Sequence, residues 1–160
     1  MPQPSEAAIE IPIRTTSSGF WSGEVQIEGV EKPVNFIIDT GASISVVSQA
    51  LAARAGMDKF AQSGRIRVYG AAGLAENIQT VLLPRIALGT HARRNVYAAV
   101  LDMEPINETA GFEQTGIVGG NVLRHFRVSF DFARGVVRLD PVSATTPDEQ
   151  KGKPVVISNP

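Results

Sequence analysis

Apolar and polar residues alternate from the start of the chain. Ile9, Ile11 and Ile13 are spaced two apart, so residues 9–13 read as a strand with one buried face. Residues 20–27 and 34–39 make a second and a third strand, and the connector "EGVEKP" between them carries Gly29 and Pro33, residues suited to a turn. In the third strand Val34, Phe36 and Ile38 share one face. Asn35, Ile37 and Asp39 share the other, so a carboxylate closes the strand on the face opposite Ile38.

The pattern then changes period. "SVVSQALAARAGM" predicts a short helix capped by Ser48, with Leu51, Ala52 and Ala55 turned inward and Gly56 as its stop. Residues 64–70 and 76–83 flank the small-residue turn "GAAG" and predict a long hairpin with a flexible tip. Residues 85–88 and 95–102 read as two further strands around "GTHARR", and residues 103–115 as a polar loop. "GIVGGNVLRHF" is a short apolar run, two glycines and one or two helical turns. "VSFDF" and "VVRLD", joined by "ARG", predict a closing hairpin.

Length and composition narrow the classes. A chain of 160 residues favours one domain with a real core. The expected layout is a flexible lead-in over residues 1–8, the domain over 9–141, and a flexible tail or interdomain linker over 142–160. A formal charge of −1 with scattered Lys and Arg gives no footprint for nucleic acid or an anionic membrane. The chain has no Cys, which excludes disulfides, thiol nucleophiles and Cys-based zinc sites. His91 and His125 are too far apart in sequence to suggest a metal site, and no cofactor is expected. No run approaches the length of a membrane span. The N-terminus lacks the basic head and apolar stretch of a signal peptide, which favours the cytoplasm for the chain as given; the periplasm fits if it is an excised domain.

Chemistry concentrates in "NFIIDTGAS", residues 35–43. Asp39, Thr40, Gly41 and Ser43 are ordinary residues for a strand end, and a plain turn is one reading. The other reading takes in the apolar-apolar-Gly element Ile117-Val118-Gly119, which follows about eighty residues later.

Taken in order, "FIIDTGAS" and "GIVGGNVLRHFRVSFDF" resemble the retropepsin-like aspartic proteases, both the retroviral enzymes and their bacterial relatives, over roughly residues 20–140. Where retroviral members commonly read Gly-Arg-Asn-Leu-Leu, this chain reads Gly119-Gly120-Asn121-Val122-Leu123. The resemblance implies an all-β, closed β-barrel of acid-protease type, a single lobe with a flap hairpin and a short C-terminal helix. It also implies an aspartic endopeptidase. Asp39 would supply one carboxylate of a proton-sharing pair that activates water, Thr40 would reach across to lock two such loops together, and Gly41 would leave the pair unobstructed.

Only one Asp-Thr-Gly is present, and Asp58, Asp102, Asp131 and Asp140 have no neighbouring Thr-Gly. If the chain is such a protease, as the resemblance implies, the second carboxylate comes from a second copy, in a homodimer with one site on its twofold axis. The flap falls on Tyr69, Gly70, Ala71, Ala72 and Gly73, with Ser43 beside the carboxylate and Ile117 as a wall or core residue; the ligand is an extended peptide or protein. Two other readings stay open: a non-catalytic domain of the same fold used for dimerisation or peptide binding, and one lobe of a larger bilobal protease.

Overall fold

The computed structural model describes residues 7–70 and 73–142, and the backbone of residues 155–156. The flap-tip residues Ala71 and Ala72, most of the lead-in and most of the tail lie outside the described residues.

The alternating segments form strands β1 (Ile9–Thr15), β2 (Trp21–Ile27) and β3 (Val34–Ile38), and β4 (Ser45–Ser48) follows the Asp39 turn. Helix α1 (Gln49–Arg54) begins where Ser48 places its hydroxyl to accept from the Leu51 N–H at 2.9 Å. Gly56 then takes a left-handed conformation, φ 64°, which a side chain would strain. A 3-10 turn (Met57–Phe60) leads into β5 (Ala61–Gly70) and β6 (Gly73–Leu88), followed by β7 (His91–Leu101), α2 (Glu104–Ala110), β8 (Gly116–Val118), α3 (Gly120–Leu123), β9 (Phe126–Asp131) and β10 (Val136–Pro141). Beyond these, β11 (Val155–Val156) runs parallel to β5 opposite Val68 and Tyr69.

The strands make one mixed sheet in the order β11-β5-β6-β7-β4-β8-β3-β2-β1-β10-β9. This corrects the closed barrel that the resemblance implied. The sheet does not close into a barrel: its ends, β11 and β9, have no pairing with each other, although a short β6–β2 pairing folds the sheet over on itself. On the β11 side of the sheet, β5 and the first half of β6 form an arm. Their residues are largely exposed and the register shifts twice, between Ala61 and Arg65 and between Ile66 and Val68. Parallel pairings of β3 with β8 and of β4 with β7 make the sheet mixed.

Two other expectations change. Residues 103–115 are no simple polar loop: α2 occupies their centre, and Met103, Ala110, Gln114 and Thr115 are buried. Gln114 Oε1 accepts from Ser22 Oγ at 2.8 Å and its backbone N–H donates to Asn107 Oδ1 at 2.7 Å, while its Nε2 is buried without a partner among the described residues. "GTHARR" is mostly strand, since Leu88 already pairs with His91 across a turn of Gly89 and Thr90.

The core lies on both sides of the central strands. Phe36 and Ile38 face one cluster with Val47, Leu51, Leu83 and Leu139. Ile37 faces a second cluster with Ala42, Val46, Val68, Ala99, Met103 and Ile117. The period-2 reading of β3 therefore holds, with both faces covered. A fully buried side chain of this kind contributes about 1.5–3 kcal/mol.

Candidate active site

The site forms where β3 ends. β8 lies between β3 and β4, parallel to the first and antiparallel to the second, so the chain between them must cross the end of β8. Residues 39–44 make that crossing, and they are the Asp-Thr-Gly segment. The Asp39 N–H donates to Val118 O at 3.1 Å, carrying the β3–β8 ladder one residue past the strand.

The crossing is held tightly from below. The Gly120 N–H donates to Ala42 O at 2.6 Å, and the Ala42 N–H to Asp39 O at 3.3 Å. Glycine is required under it for lack of room: a Cβ on Gly119 would collide with Ile44 O, and one on Gly120 would lie 3.0 Å from Ala42 O. Gly116 is crowded in the same way, by the Phe36 ring and Val46 O. These contacts give the Ile117-Val118-Gly119 element its physical content, because the small residues let two backbones approach.

A polar chain fixes the same region from the side. Ser45 Oγ accepts from the Gly119 N–H at 3.1 Å and donates to Asn121 Oδ1 at 2.9 Å, while Asn121 Nδ2 donates to Tyr97 O at 2.7 Å. Asn121 thus ties α3 to β4 and β7. The sequence marked Asn121 as part of a motif, but Ser45 and Tyr97 carried no signal. Their roles depend on strand neighbours that are remote in sequence.

The crossing presents Asp39 half-buried, with Thr40 and Gly41 exposed and Ala42 at 1% exposure beneath them. Asp39 Oδ1 accepts from the Gly41 N–H at 2.9 Å, which orients the carboxylate against its own turn. Ser43 lies half-buried two residues further on.

The remaining candidates fall in two places. Ile117 is 2% exposed, in the second core cluster with Ile37 and Ala42. Tyr69, 40% exposed, pairs with Leu74, and Gly70 pairs with Gly73, so the flap segment is the outer end of the β5–β6 arm. Val68, next to Tyr69, is buried in the cluster of Ile37, Ala42 and Ile117, which packs the outer part of the arm against the strands that carry Asp39. Asp131 ends β9 and its Oδ1 accepts from the Arg134 N–H at 3.1 Å, the role of a turn residue. Among the described residues no group of three or more His, Asp or Glu is arranged to hold a metal, and no helix is long and apolar enough to cross a membrane.

Comparison with known proteins places this geometry in context. A family model described as aspartyl protease matches residues 23–122. A solved structure, that of a retropepsin-like aspartic protease from Rickettsia conorii, matches with a TM-score of 0.59 and 20% identity. The match covers 88% of this chain and 97% of that one, a likeness that speaks for the fold. Curated protein sequences gave no match.

Proposed function

Since the chain belongs to the aspartyl protease family, we propose that it is a retropepsin-like endopeptidase whose site is built from the Asp39 turns of two copies. One observation carries this reading: Asp39 stands on a turn clamped by Gly119, Gly120 and Ser45, with Thr40 and Gly41 left exposed at its crest. A single chain carries one such turn, and a symmetric partner is the ordinary way to bring a second against it.

In that dimer the two Asp39 carboxylates lie close together. Two like charges in contact are costly, so the pair shares a proton, the known behaviour of aspartic-protease dyads. The charged member takes a proton from a water as it attacks the peptide carbonyl. The protonated member polarises the carbonyl oxygen and then helps protonate the departing amine. The exposed Thr40 hydroxyl reaches the opposite turn and holds the carboxylates in register. The arm ending at Tyr69, Gly70, Ala71, Ala72 and Gly73 covers an extended peptide, excludes water and offers strand-like hydrogen bonds to its backbone.

The experiment is cleavage of a diverse peptide library at mildly acidic and neutral pH by wild type and by Asp39→Asn, with the far-UV spectrum of both as a folding control. Cuts made only by wild type support the reading. Equal behaviour of two folded proteins at both pH values overturns it and leaves a peptide-binding or dimerisation domain, or a lobe awaiting another.

A further inference from the structure

Away from the Asp39 turn, four basic side chains lie near one another around the start of β7 and the residues that follow α3. His91 and Arg93 are two residues apart on β7 and share a face. Arg124 and His125 follow α3, which is anchored to β7 through Asn121 and Tyr97 O. The His91 ring meets the Phe126 ring edge-on, with centroids 4.7 Å apart, so the residue after His125 touches His91. The Val142 N–H donates to His125 O at 3.0 Å and holds that corner against the end of β10.

No carboxylate balances this cluster among the described residues. Neither Arg93 nor Arg124 has a salt bridge there. Asp140 and Glu10 are engaged elsewhere: Asp140 binds Arg138, and Glu10 binds Arg134. His91 Nε2 and Arg93 Nε are buried without a hydrogen-bond partner among the described residues, a costly state for polar atoms. Like charges converging without a counter-charge also cost stability, unless an anion joins them.

We propose that His91, Arg93, Arg124 and His125 form a binding site for a phosphate-class oxyanion. Two guanidinium groups offer the forked donors that match such an anion, and the two imidazoles add donors when protonated. The same arrangement disfavours a metal cation, which the arginines would repel. The charges respond accordingly. Burial and then Arg93 hold His91 below the usual histidine value, and burial followed by Arg93, Arg124 and His91 does so for His125. Burial and then Arg124 weaken the hold of Arg93 on its proton. No acidic group opposes these effects. An anion bound among them reverses the repulsion and favours the protonated imidazoles.

The chain has only two histidines, so their ring signals can be followed individually by NMR, with His91→Gln and His125→Gln to assign them. Both are titrated in inorganic phosphate and in chloride at matched ionic strength, which removes general screening. The expected result is that phosphate raises both titration midpoints above their values in chloride. Arg93→Gln and the exposed Arg124→Gln should each weaken phosphate binding about tenfold or more. A parallel titration with phenyl phosphate identifies the source: binding as tight as that of phosphate assigns a phosphomonoester, and weaker binding a free oxyanion. Midpoints that coincide in phosphate and chloride overturn the proposal, as does a phosphate response that survives intact in folded Arg124→Gln.

Discussion

Asn121 shows how one side chain organises a site without touching the reacting atoms. Its amide accepts from Ser45 and donates to Tyr97 O, and Ser45 in turn accepts from the Gly119 N–H beside the Asp39 turn. Asn121→Ala removes the acceptor of the fully buried Ser45 hydroxyl proton and the side-chain donor to Tyr97 O. It should cost about 1–3 kcal/mol, read as a lower urea midpoint. Gly116→Ala tests the close approach of β8 to its neighbours: the new methyl must displace the Phe36 ring or Val46 O, and overpacking of this kind costs about 1–3 kcal/mol. A Gly116→Ala protein as stable as wild type would contradict that packing. Asp39, Thr40 and Gly41 were legible in the sequence because their chemistry is contiguous. Ser45 and Tyr97 were not, since a serine in a strand and a backbone carbonyl look the same whether or not they brace anything.

At the scale of elements, the informative unit is the β5–β6 arm. Near its outer end Val68 is buried in the second core cluster, while the adjacent Tyr69 and Leu74 are exposed. Tyr69→Ala should therefore leave the unfolding midpoint within about 0.5 kcal/mol of wild type, while the proposed flap role predicts that peptide cleavage falls. A matched loss of stability and activity would instead make Tyr69 a packing residue. The hairpin was legible from two alternating runs around "GAAG", and α1 from Ser48 and Gly56, because turns and caps are local signals. Helix α2 was hidden because residues 103–115 are mostly polar, and nothing in the sequence revealed that Gln114 and Thr115 find their partners inside. The barrel expectation failed for a related reason. Strand count and motif order do not reveal whether the ends of a sheet meet, and here β11 and β9 do not pair with each other among the described residues.

For the whole molecule, two properties follow. Both histidines are held below the usual value of 6.5 in the folded state, so the unfolded chain takes up protons first as pH falls. Stability contributed by neutral His91 and His125 is thus present above pH 6.5 and is lost as pH falls from there toward their folded values. Urea midpoints measured from pH 7.5 to 5 should decline, with a shallower decline in His91→Gln; a midpoint rising over that range would contradict the charge arrangement. The second property is assembly. Thr40 is exposed in the single chain, so Thr40→Ala should leave the fold of each protomer intact, weaken dimerisation in sedimentation and reduce cleavage with it. The most direct test of a site shared between two Asp39 turns is subunit mixing: wild type at fixed concentration, equilibrated with rising amounts of Asp39→Asn and assayed on one cleaved peptide. The account predicts that activity falls steadily toward zero as wild-type chains are drawn into inert mixed dimers. Activity that stays constant under a large excess of folded Asp39→Asn would show that each chain works without a second Asp39, and would contradict it.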